Sequence, residues 1–302
     1  MRPITHYLPK VLVPLCGRPL LEHTLVQLDK EGFGPFLVNT HWFHDHVAAF
    51  CARSPVPFAI SHERERILGS GGGVRHAREW LCRDELCCVA NAEPVRGGVT
   101  NDIADEFRRS GATIGLACVR VARGATIFSH AGTREYAGTT ADALEPGTVD
   151  PWAFIGLTLL RREAFELLRE SDFSIVPVWA RAARAGGATV LLDAGGGCWW
   201  YDIGTLQQLA AAHLAVCRGS LDLELPPGLV HDREGGRVFP AHLSPRDVAR
   251  CGPSVWLEAR ELPAGCRFEN AVVVTGARVR GTAYLEQLLT PWGEFSLAGG
   301  EP

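Results

Sequence analysis

The stretch LGSGGGVRHAREWLCRDELCCVANAE, residues 68–93, decides the fold class. Four glycines within Gly69–Gly73 read as a loop between a strand and a helix. Residues 74–82 then carry apolar side chains at helical spacing, and the apolar run of residues 86–91 ends in polar residues, as a buried strand of an open sheet does. A loop, a helix and a buried strand within 26 residues form one βα unit. The same alternation extends in both directions. Upstream, residues 19–28 have a helical apolar pattern with Pro19 near the start and Gly32 past the end, residues 36–40 read as a strand, 44–52 as a helix and 58–61 as a strand. Downstream, helix and strand follow at 102–110 and 113–121, a strand at 152–160, helices at 162–170 and 176–185, a strand at 189–193, an aromatic strand end at 199–204 and a helix at 206–217. Residues 123–149, rich in Gly, Thr and Ala, read as a loop excursion or a weak hairpin.

The expected fold class is α/β: a Rossmann-like mixed, mostly parallel sheet flanked by helices over residues 1–217. Residues 218–302 change character to short β-like pieces between Pro and Gly, with one helix expected near residues 284–288. Small apolar residues recur near every sixth position over 265–281, as in left-handed β-helix coils, and a plain hairpin extension accounts for the same residues.

Composition narrows the function. The 302 residues are 46% hydrophobic and 21% charged, enough for a sizeable core and too apolar for a disordered chain. A net charge of -4 provides no basic footprint for nucleic acid or for an anionic membrane. No apolar run approaches the roughly 20 residues of a membrane-spanning helix, and a cytoplasmic location is expected. Ten scattered cysteines without a CxxC pair suggest reduced thiols rather than disulfides or a zinc site.

Candidate site residues stand at the strand ends. A glycine-rich segment beside a helix N-terminus suits an anion or a nucleobase edge, which singles out Gly69, Ser70, Gly71 and Gly72; a surface turn is the alternative. Lys10 is one of only two lysines and sits between Pro9 and Pro14, a stiff mount for a phosphate-binding charge. Asn91 and Glu93 follow the buried strand at the end where open α/β sheets bind ligands. Asp202 follows the aromatic strand end. Two such carboxylates could share Mg2+ with phosphate oxygens, or simply cap turns.

The order of six segments resembles the sugar-1-phosphate nucleotidyltransferases: LPKVLVPLCGRPLLEH (8–23), VNTH (38–41), LGSGGGVRHA (68–77), VANAE (89–93), FIGLTLL (154–160) and WYDIGTLQQLAAAH (200–213). The resemblance covers about residues 2–215 and is nearest to the bacterial enzymes that activate mannose-, glucose- or N-acetylmuramic acid-1-phosphate. It implies transfer of a nucleoside monophosphate from a nucleoside triphosphate to a sugar-1-phosphate, giving a nucleotide sugar for cell-envelope polysaccharide and pyrophosphate. By the same resemblance Lys10 contacts phosphate, Gly69, Gly71 and Gly72 line the nucleobase pocket beside Ser70 and Asn91, Gly156 lies against the sugar, and Glu93 and Asp202 hold Mg2+. Nucleotide and sugar phosphate are the expected partners, and a homo-oligomer is compatible with the family.

Two departures shape further expectations. The family opens with a central strand and a glycine-rich phosphate loop ending in Gly-Thr-Arg, and Met1-Arg2-Pro3 corresponds to the residues after it. Ala92-Glu93 stands where the family has Gly-Asp. They define an alternative, a family member that binds nucleotide or sugar phosphate, or serves as a partner subunit, with little turnover.

Overall fold

The turn Cys16-Gly17 takes left-handed backbone at both residues (φ 50° and 75°), which suits a two-residue hairpin. It joins β1 (Pro14–Leu15) to β2 (Arg18–Pro19), with Pro14 opposite Pro19. In this computed structural model, the described residues are all except 99–101, 140–143, 146, 186–188, 196, 260 and 299–302. Before the hairpin come 3-10 turns at Ile4–His6 and Lys10–Leu12; after it comes α1 (Leu20–Lys30). The described chain divides into two units, residues 1–23 with 201–302 and residues 24–200. The sequence reading places a boundary at 217 instead; the difference arises because the first 23 residues group with the C-terminal part.

The unit of residues 24–200 contains β3 (Phe36–Thr40), α2 (His44–Cys51), β4 (Phe58–His62), α3 (Gly69–His76), α4 (Arg78–Leu81), β5 (Leu86–Ala90) and β6 (Val95–Gly97). It continues with α5 (Asp102–Ser110), β7 (Ile114–Arg120), β8 (Ile127–His130), β9 (Tyr136–Gly138), β10 (Val149–Arg161), a 3-10 turn at Arg162–Leu167, α6 (Val176–Arg184), β11 (Thr189–Asp193) and the start of β12 (Trp199–Tyr201). One sheet runs β11-β7-β10-β8-β9, with β5 also on β10. Strand β7 shows why both faces carry helices. Ile114, Leu116 and Cys118 enter a core with Val74 and Trp179, and Ala117 and Val119 alternate into a second core with Leu28, Ile103 and Phe107.

The fold is the mixed, helix-flanked α/β class expected, with a different balance of strand directions. Among the described residues only β11 and β7 are parallel in this sheet, because the 13-residue β10 runs antiparallel to β5, β7 and β8. Strands β3 and β4 form a separate parallel pair, Phe36 opposite Phe58 through Thr40 opposite His62. The 123–149 excursion contains the β8–β9 hairpin. Residues 162–170 form a 3-10 turn at Arg162–Leu167 in place of the expected helix.

The other unit adds α7 (Leu206–Cys217), β13 (Leu229–Asp232), β14 (Arg237–Pro240), α8 (Pro245–Val248), β15 (Val255–Leu257), β16 (Arg267–Glu269), β17 (Ala271–Val273), β18 (Ala283–Leu285), β19 (Gln287–Thr290) and β20 (Gly293–Ser296). Thr205 caps α7 in a reciprocal box with Gln208. Strands β14, β15, β17 and β19 stack in parallel, as do β16 and β18, while β13 and β20 close the edges as antiparallel hairpins. The helix expected at 284–288 is replaced by β18, a corner and β19. Tyr284 points inward between exposed Ala283 and Leu285, stacking on Phe268 at 5.5 Å, and Glu286 turns the chain at φ 51°. The corners Ser254, Asn270 and Glu286 all have positive φ and recur every sixteen residues, each directly before a strand. That spacing is the length of one turn of the coil.

Candidate functional site

Strands β3, β4 and β5 deliver Thr40, His62 and Ala90 to their C-terminal ends, and the candidate residues of the 24–200 unit follow from there. Glu63, directly after β4, is 4% exposed. Its carboxylate accepts from Asn39 Nδ2 at 3.0 Å and from the Leu68 backbone N–H at 2.9 Å, tying β3 to the start of α3. Sequence reasoning passed over Glu63; the available signal was a carboxylate just past an apolar strand and five residues before the glycine run. Glu63→Gln keeps the shape but replaces one acceptor oxygen with an NH2 group. It is expected to cost about 1–2 kcal/mol, read as a lower urea midpoint with unchanged slope.

The glycine run is itself helical, which corrects the reading of residues 69–73 as a loop ahead of a helix at 74–82. Helix α3 starts at Gly69, and a break at Ala77 separates it from α4. Glycine is a poor helix former, so tertiary contacts decide here. Gly71 N–H donates to the Phe173 carbonyl at 3.1 Å, and Ser70 Oγ accepts from Ile175 N–H at 3.0 Å. A Cβ at Gly69 would lie 2.2 Å from the Phe173 carbonyl oxygen, and one at Gly71 2.7 Å from that of Asp172. The absent side chains thus admit the 172–174 backbone. Gly71 and Gly72 are buried, whereas Ser70 is exposed and Gly69 half-buried.

Asn91 and Gly156 are brought together. Gly156 has φ 87° inside β10, where the pairing with β7 shifts register, and its carbonyl accepts from Asn91 N–H at 2.8 Å. A Cβ at Gly156 would stand 3.0 Å from Pro94 and 3.3 Å from the Asn91 Cβ, so glycine lets the turn after β5 seat on the bulge. Thr24 Oγ1 donates to the Ala92 carbonyl at 3.4 Å from the other side. Asn91 is exposed and Glu93 half-buried. At the ends of β3 and β4, the His44 and His62 rings stack at 3.7 Å. Desolvation, with His44, Arg64 and His41 adding to it, holds His62 below its ordinary value, against the pull of Asp45.

Lys10 and Asp202 belong to the other unit. Lys10, half-buried, opens the 3-10 turn Lys10–Leu12, and exposed Asp202 precedes the Gly204-Thr205 start of α7. Among the described residues no three His, Cys, Asp or Glu side chains form a metal-holding group. Glu93 in the one unit and Asp202 in the other each carry a hard carboxylate oxygen of the kind Mg2+ takes. All ten cysteines are free thiols. Among the described residues no helix is long and apolar enough to cross a membrane.

Residues 5–145 match the family described as the MobA-like NTP transferase domain. The chain is 27% identical over 225 residues to the N-acetylmuramate alpha-1-phosphate uridylyltransferase of Caulobacter vibrioides, covering 70% of this chain and 90% of that protein. It is 25% identical over 297 residues to the mannose-1-phosphate guanylyltransferase of Mycobacterium tuberculosis, covering 95% and 80%. Among solved structures, a Bacillus anthracis protein described as a glucose-1-phosphate thymidylyltransferase superposes with a TM-score of 0.60 at 15% identity, covering 74% and 92%. A UDP-glucose pyrophosphorylase complexed with UDP-glucose gives 0.58 at 16%, covering 72% and 94%. Over residues 5–145, just under half of the chain, the similarity is to the MobA-like NTP transferase domain, and the relatives named are sugar-1-phosphate uridylyl- and guanylyltransferases.

Proposed function

We propose that this chain transfers a nucleoside monophosphate from a nucleoside triphosphate to a sugar-1-phosphate. The observation that carries the reading is the Asn91–Glu93 turn at the C-terminal end of β5, seated on the Gly156 bulge and tied by Thr24, within a domain of the matching family. A sugar-phosphate oxygen attacks the α-phosphorus; the new P–O bond forms as the bond to the β-phosphate oxygen breaks, and pyrophosphate leaves. Catalysis of this kind is positioning and charge neutralisation. The Lys10 ammonium supplies a point charge to phosphate. Gly69 and Ser70, the accessible end of the glycine run, meet the nucleobase with Asn91, while Gly71 and Gly72 keep that end in place. The Gly156 bulge borders the sugar. Glu93 and Asp202 would hold Mg2+, which when bound neutralises phosphate charge. The reaction belongs to the cytoplasm, where both substrates are soluble.

The test is pyrophosphate release and nucleotide binding with the four common nucleoside triphosphates and mannose-, glucose- and N-acetylmuramic acid-1-phosphate. Mg2+-dependent release from one pair is expected, falling roughly 100-fold in Lys10→Ala and Asp202→Ala and rising in Glu93→Asp, because an extra methylene misplaces the carboxylate by about an ångström. Release that ignores all three substitutions, or neither release nor Mg2+-dependent binding, overturns the assignment. Glu93 in the aspartate position favours a second reading, a nucleotide- or sugar-phosphate-binding subunit, which binding without release would establish.

A further inference from the structure

Arg96, the middle residue of β6, is 4% exposed, and its Nε, Nη1 and Nη2 are all buried with no hydrogen-bond partner among the described residues. Its surroundings are mainly apolar. Cys88 and Cys198, close enough to feel its charge, pack against the core of Ile103, Phe107 and Leu157. Among the described residues the carboxylate acting on it is Glu31, 7% exposed, whose Oε1 accepts from Gln27 while Oε2 has no partner. Arg96 and Glu31 form no ion pair. A guanidinium carries five N–H donors in a planar fork, and leaving all of them unmet in an apolar layer is costly.

We propose that Arg96 and Glu31 form a buried oxyanion site whose guest is a phosphate group, free or carried on a sugar. The fork of Arg96 donates to two phosphate oxygens, and Glu31 Oε2 meets a phosphate hydroxyl. A single water could accept only two of the five donors, so water alone leaves most of the fork unmet. Burial pushes the Glu31 carboxyl up, against the Gln27 hydrogen bond and the Arg96 charge. The two thiols stay protonated beside the guest: burial raises Cys88 to about 12 and Cys198 to about 11. Strand β6 is only three residues long and carries Gly97 against the Trp199 indole.

The site is independent of nucleotidyl transfer, and its test contains no nucleotide. Thermal unfolding of the full chain is followed with inorganic phosphate, with glucose-1-phosphate and with acetate as a planar control, in wild type, Arg96→Met, Arg96→Lys and Glu31→Gln. A saturable rise of roughly 5–10 °C is expected in wild type at about 100 times the Kd. It should vanish in Arg96→Met and shrink in Arg96→Lys, which keeps the charge but loses the fork, and in Glu31→Gln. Equal action of both phosphates assigns the free ion; action of glucose-1-phosphate alone assigns the sugar-borne group. In phosphate-free buffer Arg96→Met should melt no lower than wild type, since it removes an unmet charge. No phosphate-dependent rise, the same rise in Arg96→Met, an equal response to acetate, or a phosphate-free Arg96→Met several degrees below wild type overturns the proposal.

Discussion

Gly69→Ala is expected to lower the melting transition of the 24–200 unit by roughly 6–12 °C. Two costs combine at this position. A non-glycine residue at φ 71° costs about 1–2 kcal/mol, and the added methyl would lie 2.2 Å from the Phe173 carbonyl oxygen, an overpacking of about 1–3 kcal/mol against backbone that cannot rotate away. Gly124 separates the two. Its φ is also 71°, yet no atom lies within 4 Å of the Cβ position, so Gly124→Ala has only the conformational cost. Differential scanning calorimetry of the two variants should show the Gly69 substitution losing at least twice as much. Equal losses would mean that the 172–174 segment does not press on the glycine helix. Because Gly71 N–H also holds Phe173, displacement of that segment should loosen the exposed end at Ser70 and weaken nucleotide binding in parallel.

The second large effect belongs to His213, which is fully buried in the unit of residues 1–23 and 201–302. Its Nδ1–H donates to the Leu209 carbonyl at 2.9 Å, and Nε2 accepts from the Cys16 N–H at 3.0 Å, which pins the hairpin turn to α7. This pair of bonds fixes the neutral tautomer, with the ring edge-on to Trp256. Burial lowers its pKa, against Glu258 and the Leu209 carbonyl; burial also lowers His23, against the Leu15 carbonyl that its Nε2–H meets at 2.9 Å. An unfolded histidine titrates near 6.5. The unfolded chain therefore takes up protons before the folded one, so this stability is intact above about pH 6.5 and drains away as pH falls toward the depressed folded values. Both imidazoles should forfeit stability as pH falls below about 6.5. His213→Leu is expected to cost about 2–4 kcal/mol at pH 7.5, by orphaning the Cys16 N–H and losing the aromatic contact, and to remove its own share of the acid loss. Urea unfolding at pH 7.5 and 5.5 measures both; an acid loss unchanged in the variant would show that His213 does not titrate on unfolding.

The alternation of apolar runs was enough to determine the layered α/β class and most of its elements, because burial on a sheet face or a helix stripe imposes periods of two and 3.6 on the sequence itself. Capping of α7 by Thr205 and Gln208 is equally local, set by two residues three apart in sequence. Strand direction was not, since the antiparallel role of β10 depends on which partners it meets far along the chain. The glycine run shows the same division. Its composition announces close approach, but only the fold reveals that the approaching group is the 172–174 backbone, and that this contact makes a helix of residues with poor helix propensity. The coil of the C-terminal part hid its period because three different residues, Ser254, Asn270 and Glu286, make the same positive-φ corner. Motif order singled out Asn91, Glu93 and Gly156 as candidates, and tertiary structure added why glycine is needed at 156, a bulge whose carbonyl receives the Asn91 N–H. His213 and Arg96 carry no local signature at all, and Glu63 only that of a carboxylate just past an apolar strand: each matters through the dielectric and the partners around it, and those are set by residues distant in sequence that meet only when the chain is folded.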